Sequence, residues 1–483
     1  MDKLRRTVLL FLYLIGALGA AELPVKIQRV LDTATGMRHG FLGLLIVNAA
    51  TGEVLFESNQ NHLFVPASNS KLFTTALGLA RLGPDHRFHT TVVAGWEPDG
   101  EGRIAGAVTL VGDGDTNLSG RELPYRVDSP HGEGLRAIED LADQVAARGV
   151  RRIDGDIIGD DSAYVWEPYP SGWGQGDAIW EYGAPVSALT INDNAFTLTL
   201  HPGEPTRVSI DPALEFYQID NLVEQGSPRH IRIEREPGSR QLRIWGTLPR
   251  NDPGLTEILA IHDPALYAAV ALRDALERRG VAVRGEAVAR HSLPGAPVAP
   301  SSGFELARMD SAPLLEGLRV AAKVSQNLHA EMILRAVGRA RRGTGTREAG
   351  LEEMRMFLKE IGVPASEYQL DDGSGLSRTS LVTPDAVVKL LRFMYRSPYR
   401  QNWLSLLPVG GEDGTLRLRM RDTAAAGRIH AKTGSLTHVT ALSGYAERKD
   451  GTMLAFSFLA NNQSVPAAEV RAVLDKICVL MTE

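Results

Sequence analysis

The sequence predicts a protein of the α/β (α+β) class: an antiparallel sheet flanked by helices, built from both chain ends, with β-rich material inserted between them. Three observations carry this expectation. Strand-like alternation appears near the N-terminus (Phe41 to Val47 and Glu53 to Glu57) and again as a meander at the C-terminus. Strongly helical stretches accompany both. Between them, from Phe88 to about Ile261, short strand-like pieces alternate with turns rich in Gly, Pro and Asp. With 483 residues the chain exceeds one ordinary core, and roughly three units are expected.

The first element is an address. Lys3, Arg5 and Arg6 precede an almost wholly apolar run from Thr7 to Ala20, and Gly19-Ala20-Ala21 offers small residues before Glu22. This is the three-part form of a secretory signal peptide over residues 1 to 21. The apolar run falls short of the ~20 residues needed to span a bilayer. No cysteine lies near the junction, which excludes a lipoprotein. No other segment is long and apolar enough to cross a membrane, so an exported protein is expected, soluble or at most loosely membrane-associated.

The remaining elements follow in order. The two N-terminal strands enclose the turn Asn48 to Gly52, and Pro66 precedes a helical run from about Ser68 to Leu82, stopped by Gly83-Pro84. Strands are expected at Thr90 to Ala94, Ala107 to Val111, Asp156 to Ile158, Thr197 to Leu200, Ile231 to Glu234 and Leu242 to Trp245, with one helix at about Gly134 to Arg148. Helices follow at Pro264 to Arg279, Leu314 to Arg342 and Arg347 to Ile361. The meander comprises Arg428 to Thr433, Val439 to Glu447 and Thr452 to Leu459. No internal repeat is present.

Composition removes several classes of function. Apolar residues make up 43% and charged residues 23%, which is ordinary for a globular protein and excludes wholesale disorder. A net charge of -6 provides no basic footprint for nucleic acid. The lone Cys478 cannot form an internal disulfide, and no Cys/His cluster has zinc spacing. Gly112-Asp113-Gly114 follows a strand, but a dinucleotide loop would need glycine where Asn117 stands. Asp113, Asp115 and Asn117 open like a calcium loop, yet Leu118 and Pro124 occupy the positions of its glycine and glutamate. A structural turn is the simpler reading. Arg339, Arg341 and Arg342 read as a solvated helix end.

Lysine is scarce: nine among 52 basic residues. A position that keeps lysine therefore invites the question of what arginine could not do there, since lysine can lose its proton and arginine effectively cannot. Ser68-Asn69-Ser70-Lys71 opens a predicted helix and places Ser68 and Lys71 on one face. A serine hydroxyl becomes a competent nucleophile when a neighbouring base takes its proton. Ser325-Gln326-Asn327 lies within a helical region that Ser and Asn disfavour. Lys432-Thr433-Gly434-Ser435 ends a predicted strand; its lysine and hydroxyls suit a carboxylate, and Gly434 would let a substrate backbone approach. Each alone has a plainer explanation: a capping serine with a surface lysine, a break between helices, a strand running into a turn. Their order, Ser-x-x-Lys, Ser-x-Asn, Lys-Thr-Gly, is the active-site set of penicillin-binding proteins and class A β-lactamases.

With these motifs the sequence resembles the D-alanyl-D-alanine carboxypeptidase/D-alanyl-D-alanine endopeptidase family, the low-molecular-mass class C penicillin-binding proteins. The resemblance spans nearly the whole mature chain. It includes Pro66 to Lys71, Gly155-Asp156 through Asp160-Asp161, Tyr182-Gly183-Ala184 through Asn194, Asp372 to Arg378, Gly414-Thr415-Leu416 and Leu442 to Tyr445. Gln326 replaces the aspartate common at the middle of Ser-x-Asn, a position where the family pattern is tolerant.

The resemblance implies a serine transpeptidase/β-lactamase-like domain made of residues 22–87 and 264–483. Two smaller β-containing domains would occupy 88–263, because a compact β-lactamase has no room for the chain between Ser68 and Ser325. It implies Ser68 as nucleophile, Lys71 as base and Ser325 as proton shuttle. Asn327 would bind the peptide amide, and Lys432, Thr433, Gly434 and Ser435 the substrate carboxylate, with the backbone N–H groups of Ser68 and Ser435 as oxyanion hole. Asp177, with Tyr182 nearby, would face the amino group of diaminopimelate, although a turn residue is an equal reading; Arg378 is either a cation near the cleft or a surface residue. No cofactor and no metal are implied. The expected partners are peptidoglycan stem peptides and cross-links, with β-lactam antibiotics as covalent inhibitors, in the periplasm of a Gram-negative bacterium; a homo-oligomer is compatible with this. The rival activities are a β-lactamase or esterase with the same serine chemistry, and a silent peptidoglycan-binding protein. Glu367-Tyr368-Gln369-Leu370-Asp371 resembles the deacylating motif of a class A β-lactamase but ends in aspartate, and reads as structural.

Overall fold

The computed structural model describes residues 22–127 and 132–483, so the expected signal segment lies outside the described residues. Two compact units are present. Among the described residues, the first comprises 22–79, Arg319–Ser325 and Met354–Glu483, and the second those of Ala80–Leu318 and Gln326–Glu353.

In the first unit, β1 (Phe41–Asn48), β2 (Val54–Ser58), β3 (Ile429–Leu436), β4 (Val439–Glu447) and β5 (Met453–Asn461) form one sheet in the order β3-β4-β5-β1-β2. All its pairings are antiparallel. The sheet thus joins the two chain ends, as β1 pairs with β5 along its whole length. β4 and β5 are buried almost throughout, because helices cover both faces of the central strands. Residues 22–33 and the helix Ala467–Met481 contribute Ile27, Leu474 and Cys478 to a core with Leu44, Phe456 and Phe458. Each such fully buried side chain stabilises the fold by about 1.5–3 kcal/mol. The helix Pro384–Arg396 packs against β1 and β5. Proline stands at its first turn, and Thr383 Oγ1 accepts from Ala386 N at 3.0 Å.

The second unit holds two hydrophobic cores. One gathers Val92, Leu110, Ile138, Leu141, Ile157 and Leu272 between the helices Arg136–Ala147 and Pro264–Arg278 and a mixed five-stranded sheet. Its strand order is Ala287–Ser292, Ile157–Val165, Val108–Val111, His89–Ala94, Phe304–Asp310. The other core collects Phe196, Leu198, Leu242, Ile244 and Leu259 from two three-stranded sheets within residues 195–260.

Three features differ from the sequence reading. The second unit runs past residue 263 to Leu318. The reason is pairing: Ala287–Ser292 lies beside Ile157–Val165, and Phe304–Asp310 beside His89–Ala94. Arg339, Arg341 and Arg342 are not simply solvated either. Arg339 pairs with Asp113, and Arg342 Nε lies 2.7 Å from Glu353. The expected helix Leu314 to Arg342 is two helices, Leu314–Lys323 and Asn327–Arg342, parted where Ser325 takes φ of 66°.

Candidate active site

The nucleophile turn is built first. Ala67, with φ of 49°, enters a short 3₁₀ turn (Ala67–Asn69) that runs into the helix Ser70–Arg81. A non-glycine residue in this region costs energy and is kept where surrounding contacts over-determine it. Those contacts are visible. Val65 N donates to Asn461 Oδ1 at 2.7 Å, and Asn69 Nδ2 donates to Ser443 Oγ at 2.7 Å, which itself donates to Ser457 Oγ at 2.9 Å. The turn is thereby tied to β4 and β5.

Ser68 Oγ lies 3.0 Å from Lys71 Nζ, one helical turn away. Lys71 is wholly buried, and its Nζ donates to the carbonyl of Ser374 at 2.7 Å. That carbonyl is aimed by a turn organised around buried Asp372. The Asp372 carboxylate accepts from Gly375 N (2.9 Å), Ser377 N (2.8 Å) and Ser374 Oγ (3.0 Å). Gly375, at φ of 78°, sits so close to Ala67 O that a Cβ would lie 1.9 Å from it. Ser374 and Asp372 are therefore part of the site, and residue type alone does not reveal it, because the group that contacts Lys71 is a backbone carbonyl.

The edge strand β3 forms the facing wall. Lys432 is wholly buried, and its Nζ donates to Ser325 Oγ and to Thr433 O, each at 2.8 Å. Burial, and next the Lys71 charge, lower the Lys432 pKa well below the ordinary lysine range. Thr433 Oγ1 donates to Thr415 Oγ1 at 2.8 Å, and Ser435 is exposed. Lys323, the last residue of its helix, pairs with Asp413 at 2.5 Å and so ties the Ser325 loop to the segment carrying Thr415. Gly434 has a packing role as well. A Cβ there would lie 2.8 Å from Pro66 O and 3.2 Å from Ala67 Cβ, so glycine lets β3 rest against the nucleophile turn. Ser68, Ser325, Thr415, Thr433 and Ser435, with Arg419 and Arg471, line a cavity of about 350 Å³.

Asn327 and Asp177 belong to the second unit. Asn327 opens its helix, where Gln326 caps the N-terminus by accepting from Leu328 N at 3.1 Å. Asn327 Nδ2 donates to Tyr182 O at 2.8 Å. Beneath this helix start lies a network the sequence did not announce. Asp193 Oδ1 is 2.9 Å from His329 Nε2, and its other oxygen pairs with Arg121. Burial by itself would raise the Asp193 carboxyl, but His329 and Arg121 outweigh it and hold the group below the usual carboxylate range. Asp177 accepts from Gly174 N at 2.9 Å and from the Tyr182 hydroxyl at 3.2 Å, which makes it a loop-ordering residue. Arg378 is exposed, and its guanidinium donates to Thr437 O at 3.3 Å. Glu367 is engaged by Lys389 at 2.7 Å, as a structural residue would be.

The sheet, its covering helices and the paired serines and lysines define a serine peptidase of the transpeptidase/β-lactamase-like class. The model of the D-Ala-D-Ala carboxypeptidase 3 (S13) family matches residues 25–483, and the chain belongs to this family. It is 37% identical over 479 residues to a D-alanyl-D-alanine carboxypeptidase of Actinomadura sp. (strain R39), covering 96% of this chain and 85% of that protein. It is 31% identical over 451 residues to carboxypeptidase DacB of Mycolicibacterium smegmatis, covering 91% and 81%. In fold it is similar to penicillin binding protein 4 from Haemophilus influenzae, with a TM-score of 0.80 at 23% identity over 93% of this chain and 97% of that one.

Proposed function

We propose that the protein removes the terminal D-alanine from peptidoglycan stem peptides, and cleaves D-alanyl-diaminopimelate cross-links, through an acyl-enzyme on Ser68. The observation that carries this reading is the 3.0 Å approach of Ser68 Oγ to the buried amine of Lys71, with Lys432 enclosed beside it. Two ammonium groups held away from water repel each other, and one of them relaxes to the neutral amine. Lys71 in that form takes the Ser68 proton as Oγ bonds to the D-alanyl carbonyl carbon. The resulting oxyanion is held by the backbone N–H groups of Ser68 and Ser435. As the intermediate collapses, the amide C–N bond breaks, and the leaving amine receives a proton through Ser325, which Lys432 resupplies. Water then adds to the ester, its proton passing through Ser325 to Lys432; the ester C–O bond breaks, and Lys71 returns its proton to Ser68 Oγ.

In this reading Asn327 binds the peptide amide, while Lys432, Thr433 and Ser435 hold the carboxylate of the leaving residue. Gly434 contributes by keeping β3 against the turn. Asp177 shapes the loop that would meet diaminopimelate. The substrate lies outside the cytoplasmic membrane, so the reading requires export, with the periplasm as the proposed compartment. Among the described residues no helix is long and apolar enough to cross a membrane. The test is release of D-alanine from a pentapeptide, and cleavage of cross-linked muropeptides, by wild type and Ser68→Ala. The variant is expected to lose both activities; equal release by the two proteins would overturn the proposal.

A further inference from the structure

The cavity of about 350 Å³ beside Ser68 is of a size that holds a ligand much larger than one alanine. Its two arginines are not equivalent. Arg419 is committed to Asp475 on the helix Ala467–Met481, with Nε 3.1 and 3.2 Å from the two carboxylate oxygens and Nη2 2.5 Å from Oδ1. Arg471 lies on the same helix, four residues before Asp475, where an i,i+4 partner would normally neutralise it. Arg419 occupies that partner. Arg471 therefore lines the cavity half-buried, with no carboxylate partner among the described residues. The Arg419–Asp475 pair is neutral as a unit, so this end of the cavity carries one uncompensated guanidinium. A planar guanidinium of this kind suits a carboxylate by two parallel hydrogen bonds.

We propose that Arg471 forms a second anion subsite, for a carboxylate of the leaving group other than the one beside the scissile amide. This rests on the function proposed above, in which Thr433 and Ser435 already hold the first carboxylate. The subsite would favour a leaving group with an acidic side chain or further peptide carboxylates over plain D-alanine. It thus tilts the enzyme toward cross-linked substrates, whose leaving portion carries several anions.

The experiment compares three acyl-D-alanyl substrates with the same acyl part, ending in D-alanine, D-2-aminoadipate or D-norleucine. Values of kcat/KM are measured for wild type, Arg471→Ala and Arg471→Lys. Wild type is expected to prefer the aminoadipate over the norleucine substrate. This ratio should fall about tenfold in Arg471→Ala, the size expected when one charge-assisted contact is lost, and partly recover in Arg471→Lys, which also controls for folding. An aminoadipate-to-norleucine ratio that is the same in wild type and Arg471→Ala would overturn the subsite. If wild type released no D-alanine at all, the function itself would fail, and the subsite with it. That outcome is distinct from an active enzyme whose ratio ignores Arg471.

Discussion

Lys432 Nζ donates to Ser325 Oγ at 2.8 Å, joining two motifs that stand 107 residues apart in the chain. Lys432 is wholly buried while Ser325 lines the cavity, so the lysine meets the cleft through this hydroxyl, and its loss would leave a buried amine short of a partner. If the pair relays the proton, Ser325→Ala and Lys432→Ala should each slow acylation by benzylpenicillin by about 10²–10⁴-fold, the usual weight of positioned acid–base catalysis. Stopped-flow rates against drug concentration measure this. Acylation should also fall as pH drops, since acid adds a second proton to the buried lysine pair, whose burial and mutual repulsion lower Lys432.

Gly434→Ala tests how β3 meets the nucleophile turn. The new methyl would press on Pro66 O and Ala67, so the strand or the turn must shift. Overpacking of this kind costs about 1–3 kcal/mol. A lower urea midpoint together with slower acylation is expected. A variant that kept both would mean that the strand is free to move away from the turn.

Asp193→Asn tests the support beneath Gln326 and Asn327. The substitution leaves His329 and Arg121 facing an amide in a nearly enclosed site. Breaking a buried pair in this manner costs about 3–5 kcal/mol, readable by denaturant titration. Asp193 lies 3.4 Å from the Gln326 amide beside Asn327, so its effect on acylation should arrive through Asn327. A double-mutant cycle of Asp193→Asn with Asn327→Ala measures that coupling.

The second unit should also respond to alkali. Burial alone would lower the His291 pKa, but hydrogen bonds to Asp161 and Asp263 raise it to about 10. Asp161 Oδ1 lies 2.9 Å away and Asp263 Oδ2 3.5 Å away, and Trp166 stacks on the ring at 4.2 Å. The folded pKa lies above the unfolded value of about 6.5. This contribution is therefore whole below about pH 6.5 and is lost as pH rises toward 10. Urea midpoints taken from pH 6 to pH 10 should fall more steeply for wild type than for His291→Gln. Parallel curves would show that the imidazolium contributes nothing.

Much of the site was legible because its chemistry lies in residue type and spacing. Ser68 and Lys71 share a helix face, and Ser325 and Asn327 break a helical run at a point where Ser325 does adopt a left-handed backbone. β1, β2 and the C-terminal meander follow from local alternation alone. What escaped depends on contacts made across the chain. The Ser374 carbonyl reaches Lys71 over 303 residues, and a carbonyl has no signature in residue type. Asp193 meets His329 over 136 residues. Nor could local pattern show that the strands Ala287–Ser292 and Phe304–Asp310 complete a sheet begun near His89, which is why the second unit extends to Leu318. The helix Pro384–Arg396 is a different case, since the Thr383 cap and Pro384 were available as signals.

The central claim is that Ser68 carries the acyl group, and the intact mass of the protein after benzylpenicillin tests it most directly. One drug-sized addition, mapped by peptide digestion to Ser68 and absent from Ser68→Ala, is the predicted result. Rapid turnover of the drug with no lasting adduct, or an adduct that persists in Ser68→Ala, would contradict the account.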